Sequence, residues 1–279
     1  SCDSLMSLKL PSTTITSAKV EPAPELPGVR VSTGPYPASR PIPDVCRVAA
    51  TLTPSSDSEI KMEIWMPVSN WNGRYQAVGN GAFNGTISYP AMMTALARGY
   101  ATSSTDTGHT GAGASFALGH PEKVIDFGWR AVHETAVASK EIIAGYYDGG
   151  PRLSYWNGCS AGGRQAMKAA QRFPADFDGI IAGSPGLDWT GRAAQAVRAA
   201  RRLETNEAAR LGQAQRQLLH AAVVNSCDAS DGAKDGLIEN PQRCTFDPGV
   251  LECKGAGGAS CLTAAQVETA RLMYSSGVN

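Results

Sequence analysis

The sequence lacks the features that mark a nucleic-acid binder or a membrane protein. Its 25 basic and 25 acidic residues cancel, and no block of like charge interrupts the 279 residues. Such a chain offers no electrostatic handle to nucleic acid or to an anionic bilayer, so neither is expected as a partner. No apolar run approaches the roughly 20 residues of a membrane span, and the chain is expected to be soluble. No basic-then-apolar leader precedes Ser1-Cys2, which implies that any signal peptide has been removed. Histidine is sparse: four residues, at 109, 120, 133 and 220, are the whole supply of imidazole.

Cysteine, by contrast, is well represented. Seven of them, several closely spaced, favour an oxidising compartment, so a secreted or periplasmic location is expected. Cys227 and Cys244 bracket one small loop, Cys253 and Cys261 another, and Cys2 and Cys46 are placed to tie down an N-terminal arm. Cys159 is left over. Taken by itself it reads as a free, buried thiol packed as a small hydrophobe.

That leftover cysteine stands in the stretch that organises the chain, Trp156-Asn157-Gly158-Cys159-Ser160-Ala161-Gly162-Gly163-Arg164. Gly158-x-Ser160-x-Gly162 has the pattern of a nucleophile elbow, a strained turn from strand to helix that lifts one hydroxyl clear of the backbone. Arg152 to Trp156 suits a buried strand. Gln165 to Phe173, closed by Pro174, suits a helix. The competing reading is a glycine-rich turn without chemistry.

The remaining elements place this turn in an α/β architecture. Residues 1–45 read as an extended arm with a strand at Thr13 to Val20. Arg47 to Thr53 and Ile60 to Met66 alternate as paired strands do. From Tyr75 to Gly183 the rhythm is strand, helix, strand, helix, strand, helix, strand: a parallel sheet with helices on both faces. The helices of this run are expected at Pro90 to Arg98 and Phe127 to Tyr147. The strand Tyr75 to Val78 runs into Gly79-Asn80-Gly81-Ala82-Phe83-Asn84-Gly85. A loop there is either simply flexible or supplies a backbone N–H to an oxyanion, the second N–H coming from Ala161. Asn84-Gly85-Thr86 is also a glycosylation sequon, discounted because the loop would pack against a catalytic pocket.

Among the histidines, His109 adjoins Asp106-Thr107-Gly108 but precedes the serine. In elbow hydrolases acid and base both follow it, so His109 is assigned a structural or pocket-lining role. His120 shows no partner, and His133 reads as a hydrogen-bonded helix residue. The sheet rhythm stops near Leu187, which divides a core of residues 1–186 from a second segment, 187–279. Trp189 to Val224 is helical and arginine-rich, a solvated face by default. It carries His220. Cys227-Asp228-x-x-Asp231-Gly232-x-x-Asp235-Gly236 follows. Three carboxylates with main-chain carbonyls suit calcium if the backbone turns sharply, although the spacing is not that of an EF-hand; the alternative is an acidic solvated turn. Thr263-x-x-Gln266 is a capping box that opens a last helix over Leu262 to Tyr274.

Together these motifs resemble the tannase/feruloyl esterase family of α/β-hydrolases. The matching residues are Gly158-Cys159-Ser160-x-Gly162-Gly163-Arg164, Arg172-Phe173-Pro174, Phe177-Asp178-Gly179-Ile180, Asp106-Thr107-Gly108-His109 and the aspartate loop. The resemblance implies an α/β-hydrolase core, represented here by the N-terminal part of its sheet. A lid is inserted after the strand that follows the elbow, and residues 187–279 are its first part. It implies Ser160 as nucleophile, with the N–H groups of Gly81 and Ala161 as oxyanion hole. It implies a structural calcium held in the lid by Asp228, Asp231 and Asp235 with the carbonyls of Ala233 and Leu237. It also implies that Cys159 is bridged to a cysteine beside the catalytic histidine. That cysteine, that histidine and the catalytic aspartate are all expected C-terminal to residue 279.

The function so implied is hydrolysis of a small aromatic carboxylate ester, a hydroxycinnamate ahead of a gallate, through a serine acyl-enzyme. Trp189 is a candidate aromatic wall. The C-terminal remainder of the same enzyme is then a required partner, and this chain alone is expected to be inactive. The alternatives are a calcium-stabilised scaffold or subunit without activity of its own and, more weakly, a serine peptidase on the same fold.

Overall fold

Alternating apolar residues at 47–53 and 60–66 require two neighbouring strands, and the fold begins with them. The computed structural model of the chain describes residues 1–23, 42–255 and 258–275. In it β1 (Thr13–Glu21), β2 (Val45–Leu52) and β3 (Ile60–Pro67) pair antiparallel. β3 then joins β5 (Ala101–Thr105), again antiparallel. The rest of the sheet is parallel: β5 with β4 (Arg74–Val78), β4 with β6 (Leu153–Cys159), and β6 with β7 (Gly179–Gly183). The order across the seven strands is β1-β2-β3-β5-β4-β6-β7. This mixed α/β sheet is the architecture the sequence implies.

Helices cover both faces, which explains why β3 is buried almost without interruption. Successive side chains of a strand point to opposite faces. Ile60, Met62, Ile64 and Met66 enter one core; Trp65 enters the other. There Trp65 meets Met92, Met93 and Leu96 of α1 (Tyr89–Leu96) together with Val45 and Val78. On the first face lie α3 (Ala131–Tyr147) and α4 (Ala161–Arg172). α3 buries Val132, Thr135, Ala136, Ser139, Ile142 and Ile143, the three-and-four spacing of one helical stripe. Ile142 and Ile143 are fully enclosed, each worth about 1.5–3 kcal/mol relative to exposure.

The helix expected from Phe127 to Tyr147 is assembled differently. A short α2 (Pro121–Ile125) leads into a π turn over Asp126–Arg130 before α3 begins. Buried charge and a foreign side chain account for the widened turn. Asp126 is inaccessible and accepts a hydrogen bond from Arg130 Nε at 2.6 Å. The carbonyls of Phe127 and Gly128 accept from Arg164 of α4, both at 3.2 Å. The Arg164 contacts join segments far apart in the chain and show in no hydrophobic pattern.

The chain divides into two compact units, Ser1–Leu187 and Asp188–Asn279. The second contains α5 (Trp189–Thr205), α6 (Gln213–Cys227) and α7 (Ala264–Tyr274) around Leu219, Leu262, Val267 and Ala270. The arginine-rich stretch is thus two helices, interrupted at the extended residue Asn206. Nor is it wholly a solvated face. Arg202 donates to Thr269 Oγ1 and to the Ala265 carbonyl, both at 2.9 Å, and so joins α5 to α7. The capping box at the head of α7 is formed: Thr263 N donates to Gln266 Oε1 at 3.0 Å and Gln266 N to Thr263 Oγ1 at 3.3 Å. Disulfides join Cys2 to Cys46, Cys227 to Cys244 and Cys253 to Cys261. Cys159 is a free thiol and is exposed, not buried as its own local reading expects. No described helix is long and apolar enough to cross a membrane.

Candidate active site

The parallel strands set the location of the site. The loops after β4, β5, β6 and β7 all leave the carboxyl ends of their strands, the edge where open α/β sheets hold their ligands. At the end of β6 stands Ser160, with φ 60° and ψ −114°, a conformation that side-chain-bearing residues rarely adopt. Its backbone is pinned on both sides. The Ser160 N–H donates to the Gly183 carbonyl at 3.0 Å, and its carbonyl accepts from Arg164 N at 3.0 Å and Gly186 N at 3.2 Å. The bend closes because two glycines leave room for backbone. A Cβ on Gly158 would stand 2.6 Å from the Gly162 carbonyl, and one on Gly163 would strike the Gly183 carbonyl oxygen and lie 2.8 Å from Pro185 Cα. Ser160 is exposed, and its hydroxyl makes no hydrogen bond among the described residues.

The loop after β4 is bound to the same elbow. The buried side chain of Asn80 donates from Nδ2 to the carbonyls of Thr86 (3.0 Å) and Thr105 (2.8 Å). The Asn80 N–H donates to Gln165 Oε1 at 3.1 Å, and Gln165 Nε2 returns a bond to Asn80 Oδ1 at 3.0 Å. The Asn80 carbonyl accepts from the Gly162 N–H at 2.8 Å. One residue on, the Gly81 carbonyl accepts from Asn84 N at 2.9 Å, while the Gly81 N–H has no acceptor among the described residues. Ala161 opens α4, where helical geometry leaves its N–H without an intrahelical acceptor and the helix dipole favours negative charge. The bond from Gly162 to Asn80 therefore joins the immediate neighbours of the two amides expected to receive an oxyanion. Asn80 and Gln165 do not stand out in the sequence: they are far apart along the chain, and only folding pairs them.

The histidines of this unit are engaged elsewhere. His109 Nε2 lies 2.7 Å from the Phe83 carbonyl, which only accepts, so that nitrogen carries the proton. Its Nδ1 is 3.3 Å from Thr107 Oγ1, and the ring stacks on Phe116 with centroids 3.8 Å apart. His109 also lines a polar cavity of about 350 Å³ with Lys61, Asp106 and Lys123. Burial pushes the Asp106 carboxyl up to about 6, against the lowering effect of hydrogen bonds from the Gly108 and Lys61 amides. His120, without a partner in the sequence reading, meets Asp57 at 3.0 Å. His133 bonds Asp176 at 2.8 Å and stacks on Phe173. None of the three is hydrogen-bonded to Ser160.

A model of the tannase and feruloyl esterase family matches residues 46–279. The chain belongs to the tannase and feruloyl esterase family. It is 40% identical to an uncharacterized esterase of Xanthomonas campestris pv. campestris over all of this chain and 48% of that protein. It is 39% identical to a probable feruloyl esterase B-2 of Aspergillus flavus, over 83% of this chain and 45% of that one. The crystal structure of feruloyl esterase B from Aspergillus oryzae superposes with a TM-score of 0.80 at 35% identity, covering 97% of this chain and 54% of that one. Tannin acyl hydrolase from Aspergillus niger shares the fold, with a TM-score of 0.69 at 21% identity over 97% of this chain and 54% of that one. The chain spans about half the length of the relatives it matches.

In this family member the second unit carries the aspartate loop. Asp228 is buried, and its Oδ1 accepts from the Gly236 N–H at 2.9 Å, which folds the loop back on itself. Asp231 Oδ1 takes the Ala233 N–H at 2.9 Å and Asp235 Oδ1 the Leu237 N–H at 3.0 Å. Each carboxylate keeps a second oxygen with no hydrogen bond among the described residues. No three acid, histidine or cysteine side chains converge on one point among those residues. The loop would have to draw its carboxylates inward to close on a cation. His220 is exposed and lines a separate, largely apolar cavity of about 620 Å³ with Leu219, Val223, Leu237 and Met273.

Proposed function

We propose that this chain carries the nucleophile and the oxyanion-binding half of a serine carboxylesterase acting on aromatic esters. The observation that carries the reading is Ser160, exposed and held at φ 60° at the head of α4. In that setting Ser160 Oγ attacks the ester carbonyl, and negative charge develops on the carbonyl oxygen. The Gly81 and Ala161 N–H groups, unused by the fold, are available to receive it. Collapse releases the alcohol and leaves an acyl-serine, which water hydrolyses to the acid. The proton leaves Oγ for a general base and returns to the departing alcohol. His109, His120 and His133 are committed to other partners, and His220 lines the apolar cavity of the second unit with no cysteine beside it. Base and acid are therefore assigned to residues outside this chain, for which the greater length of the relatives leaves room. There Cys159 would find its disulfide partner.

A hydroxycinnamate ester is the substrate proposed first, since relatives bear the name feruloyl esterase. The three disulfides fit an extracellular protein. A structural calcium is proposed for the loop of Asp228, Asp231 and Asp235 with the carbonyls of Ala233 and Leu237. Support comes from the hard-oxygen donor set and from the Cys227–Cys244 bond that holds the loop's base; no step of the reaction runs through it. The commitment of His109, His120 and His133 to other partners favours a second reading, a scaffold or subunit with no activity of its own. A fluorophosphonate probe separates the two. Modification of Ser160, with the chain alone or with any residues that naturally follow it, supports the esterase; no modification in either form supports the scaffold.

A further inference from the structure

We infer that Gln165 is a positioning residue for the oxyanion hole, acting through Asn80; the inference rests on the esterase reading above. A loop of glycines, with Ala82 at φ 46°, has too much intrinsic freedom to aim one amide unaided. The Asn80–Gly81 peptide is nevertheless fixed. Its carbonyl is held by the Gly162 N–H at 2.8 Å, and a trans peptide is planar, so its own N–H, that of Gly81, must point the opposite way. The neighbouring N–H of Asn80 is held by Gln165.

The clasp is polar and closed. Gln165 and Asn80 are 2% and 7% exposed, and buried amides are tolerated only when their donors and acceptors are met. Here one orientation satisfies both. A backbone N–H only donates, so Gln165 must present Oε1 to it. Its Nε2 then faces Asn80 Oδ1, which turns Asn80 Nδ2 toward two carbonyls, Thr86 and Thr105. Flipping either amide sets like against like at every contact. Gln165 also lies one helical turn beyond Ala161 on α4, at i+4. A single helix thus supplies one oxyanion donor at its first residue and grips the loop that supplies the other from its next turn. Among the described residues neither side chain of this clasp is hydrogen-bonded to Ser160.

The test uses the protein as naturally encoded, with any residues that follow Asn279, assayed on an aryl carboxylate ester and its thiono analogue. A C=S group receives oxyanion-hole hydrogen bonds poorly, so the oxo-to-thiono rate ratio reports on that hole. Gln165→Leu removes both bonds to Asn80. Asn80→Asp keeps the acceptor for Gln165 but turns an oxygen toward two carbonyls. Each is expected to lower kcat about 100-fold with KM within about twofold, and to shrink the oxo-to-thiono ratio about tenfold. The double variant should lose little more than either single one, since both break one device. If Gln165→Leu does not fold, Gln165→Glu, which keeps the bond to the Asn80 N–H, takes its place with a smaller loss of the same kind. Folded variants that retain kcat, or that lose kcat with the ratio unchanged, overturn the inference while leaving the esterase reading intact. A wild-type protein that neither hydrolyses aryl esters nor takes a fluorophosphonate at Ser160 refutes that reading, and this inference with it.

Discussion

Replacing Gly163 by alanine tests whether the elbow depends on backbone contact more than on helix propensity. Gly163 lies inside α4, where alanine is intrinsically better than glycine by about 1 kcal/mol. Propensity alone therefore predicts a more stable protein. The tertiary structure predicts the reverse. The new Cβ would meet the Gly183 carbonyl oxygen, with Pro185 Cα at 2.8 Å and Pro185 N at 3.1 Å. All three are backbone atoms, so no side chain can rotate away. Overpacking of this kind costs about 1–3 kcal/mol and more when nothing relaxes, and with both walls rigid the upper end applies. The expected net is a loss of about 1–3 kcal/mol, or about 3–10 °C in Tm for a domain of this size. Function should suffer as well, because the Gly183 carbonyl that must move is the one anchoring the Ser160 N–H at 3.0 Å. Gly113→Ala is the control: a Cβ there meets nothing within 4 Å, so the change should be neutral or stabilising by up to about 1 kcal/mol. Thermal and urea denaturation of both variants, alongside the rate of fluorophosphonate labelling, decide the matter. A Gly163→Ala protein that melts at or above the wild type would refute the reasoning.

Ser160→Ala should abolish fluorophosphonate labelling and lower any esterase kcat by about 10⁴–10⁶-fold; persistent labelling, located by mass spectrometry, would point to another nucleophile. Asp106→Asn should flatten the pH dependence of stability between about pH 4 and 6. Here the folded-state carboxyl titrates near 6 instead of 3.8, so the native state keeps a proton that the unfolded chain releases. Stability from this group falls as pH rises through that window and is lost above it, by about 3 kcal/mol at most. Asparagine retains the oxygen that accepts from Lys61 and Gly108, so the variant should match or exceed wild-type stability at pH 8. An unchanged slope in urea titrations at pH 4, 5 and 6 would remove Asp106 from the account. Chelation should lower Tm if calcium occupies the aspartate loop, by the equivalent of about 2.7 kcal/mol for a free ion at 100 times Kd; identical melts with and without chelator would exclude it.

Short-range patterns carried most of the architecture. Period-two alternation at 60–66, the apolar stripe of α3, the box Thr263-x-x-Gln266 and the Gly-x-Ser-x-Gly turn are each legible from adjacent residues, because backbone geometry makes i, i+2 and i, i+4 neighbours regardless of the rest of the fold. Cysteine spacing carried three disulfides for a related reason: two of them close short loops. What sequence reading missed depends on contacts between distant segments. The π turn at Asp126–Arg130 follows from Arg164 reaching across to two carbonyls. The use of Arg202 as a link to α7 likewise involves partners that no periodic pattern reveals.

The candidate site divides along the same line. By itself the sequence determined that a serine sits at a tight strand-to-helix turn, because the glycines needed for close approach lie beside it in the chain. Only the tertiary structure decided what surrounds that serine: parallel strands bring the loop after β4 against α4, and the Asn80–Gln165 pairing then orients an amide that composition alone leaves free to turn.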